Sequence, residues 1–195
     1  SLDSLLTLAK WHRNKFDIPV VAIAGTHGKT TVKEWLGILL SEKYRVVKSP
    51  KSYNSKLGLA LSMLELNHDS EFGLFEVSIT EQGEGKVFQE ILNPSYGILT
   101  HAGDKFDYNF ESKRDKLGEY VSLFKNTKKV FFESDLYAEL FNNYSHQNIQ
   151  VSDFKMELDR LEFKQAVKKI NASICLCVAS YFKVHVELEK GSLPD

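Results

Sequence analysis

Pro19-Val20-Val21-Ala22-Ile23-Ala24-Gly25-Thr26-His27-Gly28-Lys29-Thr30-Thr31 is the stretch from which the rest of the chain is read. Pro19 to Ile23 is a short apolar run of strand length, and from Val32 to Leu40 the apolar residues recur at helical spacing. The order is strand, glycine loop, helix. A helix entered through two glycines leaves backbone N–H groups pointing forward, and the helix dipole adds partial positive charge there. Phosphate suits that position, with Lys29 reaching the outer phosphates and the Thr30 hydroxyl on a magnesium ion. The loop is a short variant of the usual GxxxxGK[ST], because Ile23 stands five places before Gly28. A glycine-rich turn without a ligand is the plainer reading, and the flanking strand and amphipathic helix weigh against it.

Composition narrows the field. A chain of 195 residues that is 43% hydrophobic can bury one proper core, and a net charge of −1 supplies no basic field for nucleic acid or an anionic membrane. Cys175 and Cys177 lie in an apolar helical run and offer no metal-ligand spacing with a histidine pair, so they read as buried free thiols of a reducing compartment. No apolar run approaches the roughly 18 residues that cross a bilayer, and no signal-peptide order opens the sequence. The expectation is a cytoplasmic protein without membrane insertion.

Strands are expected at Tyr44–Lys48, Phe72–Ile79, Tyr96–Thr100, Lys129–Glu133 and Asn148–Val151. Helices are expected at 2–16, Leu57–Leu66, 83–93, from a Ser112 cap to Phe124, Leu136–Tyr144 and Leu161–Phe182. Strands alternating with helices imply an α/β fold, a mostly parallel, doubly wound sheet with right-handed crossovers. Glu76 is out of place in its apolar strand. A buried carboxylate costs several kcal/mol unless paired or metal-bound, so Glu76 is either at an exposed strand end or functional.

The ordered series Trp11-His12-Arg13, Phe16 to Val20, Gly25 to Leu36, Tyr53-Asn54-Ser55-Lys56-Leu57-Gly58, Phe75-Glu76, Pro94 to Thr100 and Asn171-Ala172 resembles the central ATP-binding domain of the Mur ligase family. Within that family it is most similar to the branch that adds D-alanyl-D-alanine to UDP-N-acetylmuramoyl-tripeptide, including the form fused to alanine racemase. The resemblance implies a cytoplasmic ADP-forming carboxylate–amine ligase of peptidoglycan synthesis that works through an acyl phosphate, with ATP and Mg2+. It further implies nucleotide binding by Gly25, Thr26, His27, Gly28, Lys29, Thr30, Thr31, Asn54 and Asn171, a catalytic role for Lys29 and Glu76, and magnesium held by Thr30 and Glu76. On the same footing, residues 1–18 are a connector from an upstream UDP-sugar domain, 19–185 the nucleotide-binding domain, and 186–195 a linker toward a C-terminal domain that brings the amine. The UDP-MurNAc-peptide and D-alanyl-D-alanine would then be bound through flanking domains, and this chain alone would not ligate.

Four departures stand against the pattern. Phe106 occupies the place of a histidine that helps hold a second magnesium, and phenyl cannot bind a metal. Tyr120 occupies the place of a carbamylated lysine, with Lys116 one turn earlier as a stand-in, and His101 replaces an asparagine as either a ligand or a polar loop residue. The segment between Glu133 and Asn171 is shorter than the family's. A degenerate nucleotide-binding or scaffolding module is therefore one alternative. A folylpolyglutamate-type ligase is another, against which Trp11-His12-Arg13 and Val32-Lys33-Glu34-Trp35 favour the cell-wall branch.

Overall fold

The computed structural model describes residues 1–101, 109–132, 147–150 and 166–185. Strand β1 (Val20–Ala24) is buried at every position, as a central parallel strand covered on both faces should be. Around it, among the described residues, stand β2 (Val46–Lys48), β3 (Phe72–Glu76), β4 (Tyr96–Leu99), β5 (Lys129–Phe132) and β6 (Gln147–Gln150). They form one sheet in the order β2-β3-β1-β4-β5-β6, and every pairing is parallel.

Alternation along β1 separates two cores. Val21 and Ile23 face Val32, Trp35, Leu36 and Leu40 of α2 (Lys29–Ser41) and Ile174 and Val178 of α6 (Ala166–Tyr181). Val20, Ala22 and Ala24 face the other layer, built from α1 (Leu2–Arg13), α3 (Lys56–Leu64), α4 (Glu84–Leu92) and α5 (Lys113–Phe124). The helix after β1 thus lies on one face and those after β3 and β4 on the other. That arrangement opens a crevice beyond the carboxyl ends of these strands.

Some boundaries differ from those expected. Strand β3 stops at Glu76 rather than Ile79, because the chain leaves the sheet there and the Ser78 amide donates to the Asn54 carbonyl at 2.9 Å. Strand β2 starts at Val46, where pairing with Phe72 begins, and α1 ends at Arg13, three residues early. Ser112 caps α5 as expected, accepting from the Asp115 amide. The helix expected at Leu136–Tyr144, the start of the helix expected from Leu161, and the 186–195 linker lie outside the described residues.

Two buried charges tie the helical layer together. The Arg13 guanidinium, 5% exposed, donates to the carbonyls of Leu92, Asn93 and Phe16, so the last turn of α1 closes the end of α4. At the other end of α4, Glu84 Oε2 accepts from the amides of Thr80 and Glu81 and from the Thr80 hydroxyl, while Oε1 pairs with Lys56 of α3 at 3.0 Å. Burial pushes the Glu84 carboxyl up, but those amides and Lys56 outweigh it and hold the carboxyl below its ordinary value. A depressed folded value contributes stability above the unfolded value, which is lost as pH falls through the folded one. Glu84→Gln is therefore expected to lower stability by about 1–2 kcal/mol at neutral pH. In urea melts the gap from the parent should close as pH falls below about 4; a gap that stays constant with pH contradicts the assignment.

Candidate functional site

The loop after β1 is held by the end of β4. Gly25 has φ +134°, and a Cβ there would lie 2.2 Å from Thr100 Oγ1, so no larger residue fits. The amides of Thr26 and His27 donate to the His101 carbonyl at 2.8 and 3.3 Å, and the Thr26 hydroxyl donates to it at 2.6 Å. These two amides, expected to point forward at phosphate, are thus spent on fixing the loop. Gly28, with φ +87°, is the N-cap of α2, and no side chain caps that helix. The positive end of α2, with the Thr30 and Thr31 amides in its first turn, remains as the phosphate-directed element. Lys29 Nζ lies back over the loop, donating to the Gly25 carbonyl at 2.9 Å and the Thr26 carbonyl at 3.4 Å.

Glu76 is 2% exposed, which removes the exposed-strand-end reading. Its Oε2 accepts from the Thr30 hydroxyl and its Oε1 from Asn54 Nδ2, both at 2.8 Å. Its amide donates to Ser49 Oγ at 3.3 Å, and Lys33 Nζ lies 3.9 Å from Oε2. The structure therefore brings together Lys29, Thr30, Asn54 and Glu76, four of the side chains singled out from sequence. It adds Lys33 and Ser49, which sequence reasoning missed. The signal for Lys33 was its place three residues after Thr30, on one face of α2.

The donor chemistry fits a hard cation. A hydroxyl and a carboxylate oxygen already in contact are oxygen donors of the kind magnesium takes, with phosphate and water completing the shell. Among the described residues no group of three His, Cys, Asp or Glu side chains is assembled, so such a cation would depend on the nucleotide for its remaining ligands. A nucleotide is fitted by a second feature. Asn171 of α6 is 2% exposed, its amide has no hydrogen-bond partner among the described residues, and a Cβ at Gly28 would lie 2.6 Å from its Oδ1. An orphaned buried amide against the loop glycine is ready for a polar ligand group.

Of the remaining expected residues, Thr31 is half-buried, and the His27 and His101 side chains are exposed or nearly so. Tyr120 is 1% exposed within the apolar layer that holds Leu99, Phe110 and Val121, and Lys116 is buried on the same helix with its ammonium 5.8 Å over the Phe110 ring. Phe106 lies outside the described residues. Cys175 and Cys177 are buried free thiols, as expected, and burial pushes the Cys175 thiol far up. No helix among the described residues is long and apolar enough to cross a membrane.

Comparison with known proteins agrees with this geometry. The model of the Mur ligase middle domain matches residues 23–188. UDP-N-acetylmuramoyl-tripeptide--D-alanyl-D-alanine ligase of Treponema pallidum (strain Nichols) is 31% identical over 157 residues, covering 78% of this chain and 34% of that protein. The chain thus spans about a third of the length of that relative. Among solved structures, the MurF ligase from Thermotoga maritima in complex with ADP shares the fold with a TM-score of 0.81 at 20% identity, over 98% of this chain and 51% of that one. Helicobacter pylori folylpolyglutamate synthetase shares it with a TM-score of 0.58 at 13% identity, over 97% of this chain and 60% of that one. The glycine loop on β1, the Thr30–Glu76–Asn54 cluster beside it and the family match over residues 23–188 together make the chain a member of the Mur ligase family, matching its middle domain.

Proposed function

We infer that the chain is the nucleotide-binding part of an ADP-forming ligase of peptidoglycan-precursor synthesis. In the reaction proposed, the γ-phosphate of ATP passes to a carboxylate of UDP-MurNAc-tripeptide, and the amine of D-alanyl-D-alanine displaces phosphate from the acyl phosphate. The observation that carries the reading is the buried Glu76 carboxylate bonded to Thr30 and Asn54 beside the glycine loop. Phosphoryl transfer calls for charge neutralisation more than covalent help. Lys29 would supply an ammonium at the outer phosphates, and Thr30 with Glu76 would hold magnesium, which would supply further charge neutralisation there. Gly25, Thr26, His27 and Gly28 shape the loop, the Thr31 amide adds to the positive end of α2, and Asn171 offers its amide to the base.

The name of the Treponema relative supports the choice of substrates. On this reading the UDP-sugar peptide and the dipeptide are taken by flanking domains, to which residues 1–18 and 186–195 lead. The enzyme works in the cytoplasm, and the middle domain alone binds nucleotide without ligating, since positioning of both reactants is worth many orders of magnitude.

One observation favours a second reading. Tyr120 is fully enclosed at the position where the resemblance calls for a carbamylated lysine, which suits a nucleotide-binding module without turnover. Calorimetry with ADP and magnesium is expected to give micromolar to millimolar affinity for the parent chain and none for Lys29→Ala; equal affinity in both would remove the phosphate-loop assignment. Counting Mn2+ bound with a non-hydrolysable ATP analogue separates the two readings. One ion per nucleotide supports the module without turnover, and two ions restore the ligase.

A further inference from the structure

Lys33 has no solvent exposure, an unusual place for an ammonium. Its Nζ donates to the carbonyls of Ser49, at 2.8 Å, and of Lys51, pairs with Glu34 at 3.3 Å, and lies 3.9 Å from Glu76 Oε2. Glu34 in turn pairs with Lys48 of β2, so charges alternate from the sheet edge inward to Glu76. The phosphate loop has its own lysine and does not need this one. What Lys33 clamps is the strap of residues 49–54 between β2 and α3, bent at Lys51 with φ +47°.

That strap is the wall of the cation-directed half of the site. Asn54 fixes Glu76 Oε1, Ser49 accepts the Glu76 amide, and the Ser52 hydroxyl stands 3.4 Å from Thr30 Oγ1. Without the clamp, the Ser49 and Lys51 carbonyls lose their shared donor, and the strap is free to carry Asn54 away from the carboxylate.

We propose that Lys33 is a positioning residue for the divalent-cation half of the nucleotide site, acting through the strap on Glu76. The inference rests on the nucleotide reading above. It separates two parts of the affinity: the metal-independent part belongs to the loop and Lys29, and the metal-dependent part requires Lys33.

The test is ADP affinity by calorimetry in EDTA and in magnesium, for the parent, Lys33→Met, Asn54→Ala and the double variant. In EDTA, Lys33→Met should stay within about twofold of the parent, while the enhancement by magnesium falls about tenfold or to nothing. Asn54→Ala should lose the same enhancement, and the double variant should lose no more than either single one, because both act on one link. If Lys33→Met does not fold, Lys33→Gln is measured in its place and read by the same two outcomes, because Asn54 touches Glu76 directly and does not report on Lys33 by itself. Lys33→Met or Asn54→Ala with the parent's enhancement overturns the proposal, as do additive losses or an equal fall of affinity in EDTA, which would mark Lys33 as a plain support of α2. A parent chain that does not bind ADP, or binds it without regard to magnesium, overturns the nucleotide reading and this inference together.

Discussion

A carboxylate with no access to water must be answered by the atoms around it, and Glu76 is such a group. Its oxygens and amide are met by Thr30 from α2, by Asn54 and Ser49 from the strap, and by the nearby Lys33 ammonium. Those partners come from two separate stretches of chain, and the strand that carries Glu76 is a third. Satisfying one acid therefore fixes how the phosphate-loop helix, the strap and the end of β3 stand relative to one another. The same contacts leave a hydroxyl and a carboxylate side by side, so the demand of burial and the geometry of a cation site coincide.

The sheet supplies the setting for this cluster. With β1 central, the loop that follows it emerges between the ends of β3 and β4, and both neighbours serve it. Strand β3 delivers Glu76; the end of β4 delivers Thr100, packed against Gly25, and the His101 carbonyl, which takes the amides of Thr26 and His27. Helix α6, on the same face of the sheet as α2, brings Asn171 against Gly28. Apart from Lys33 and Asn171, which lie further along α2 and α6, each site residue stands at or beyond a strand end or in the first turn of a helix, where the scaffold is rigid.

Much of this was legible in the residues themselves. Continuous apolar runs identify buried parallel strands, and two glycines before Lys29 identify a loop that must approach something closely. Glu76 was conspicuous as an acid in an apolar strand, although only burial decides between its two readings. What stayed hidden depends on direction rather than residue type. Nothing in the sequence says that the His101 carbonyl, not its imidazole, meets the loop. Lys33 reads as one more surface lysine on an amphipathic helix until its face is seen to match that of Thr30 and Leu36, turned into the core. The end of β3 was overrun because Val77 and Ile79 remain buried after leaving the sheet, and hydrophobicity cannot distinguish a strand from an apolar exit. Asn171 was found through family resemblance alone, since an asparagine in a helix carries no local signal of a ligand.

The central claim is that Glu76 is held for a cation rather than for the fold. Thermal melts of Glu76→Gln with and without ADP and magnesium test it most directly. Lys33 keeps two carbonyls and Glu34 when the carboxylate is lost, and a buried amide costs less than a buried charge. The account predicts a metal-free melting temperature close to the parent's and the disappearance of the magnesium-dependent part of the ADP stabilisation. A large fall in the metal-free melting temperature, with the magnesium-dependent stabilisation intact, would contradict it.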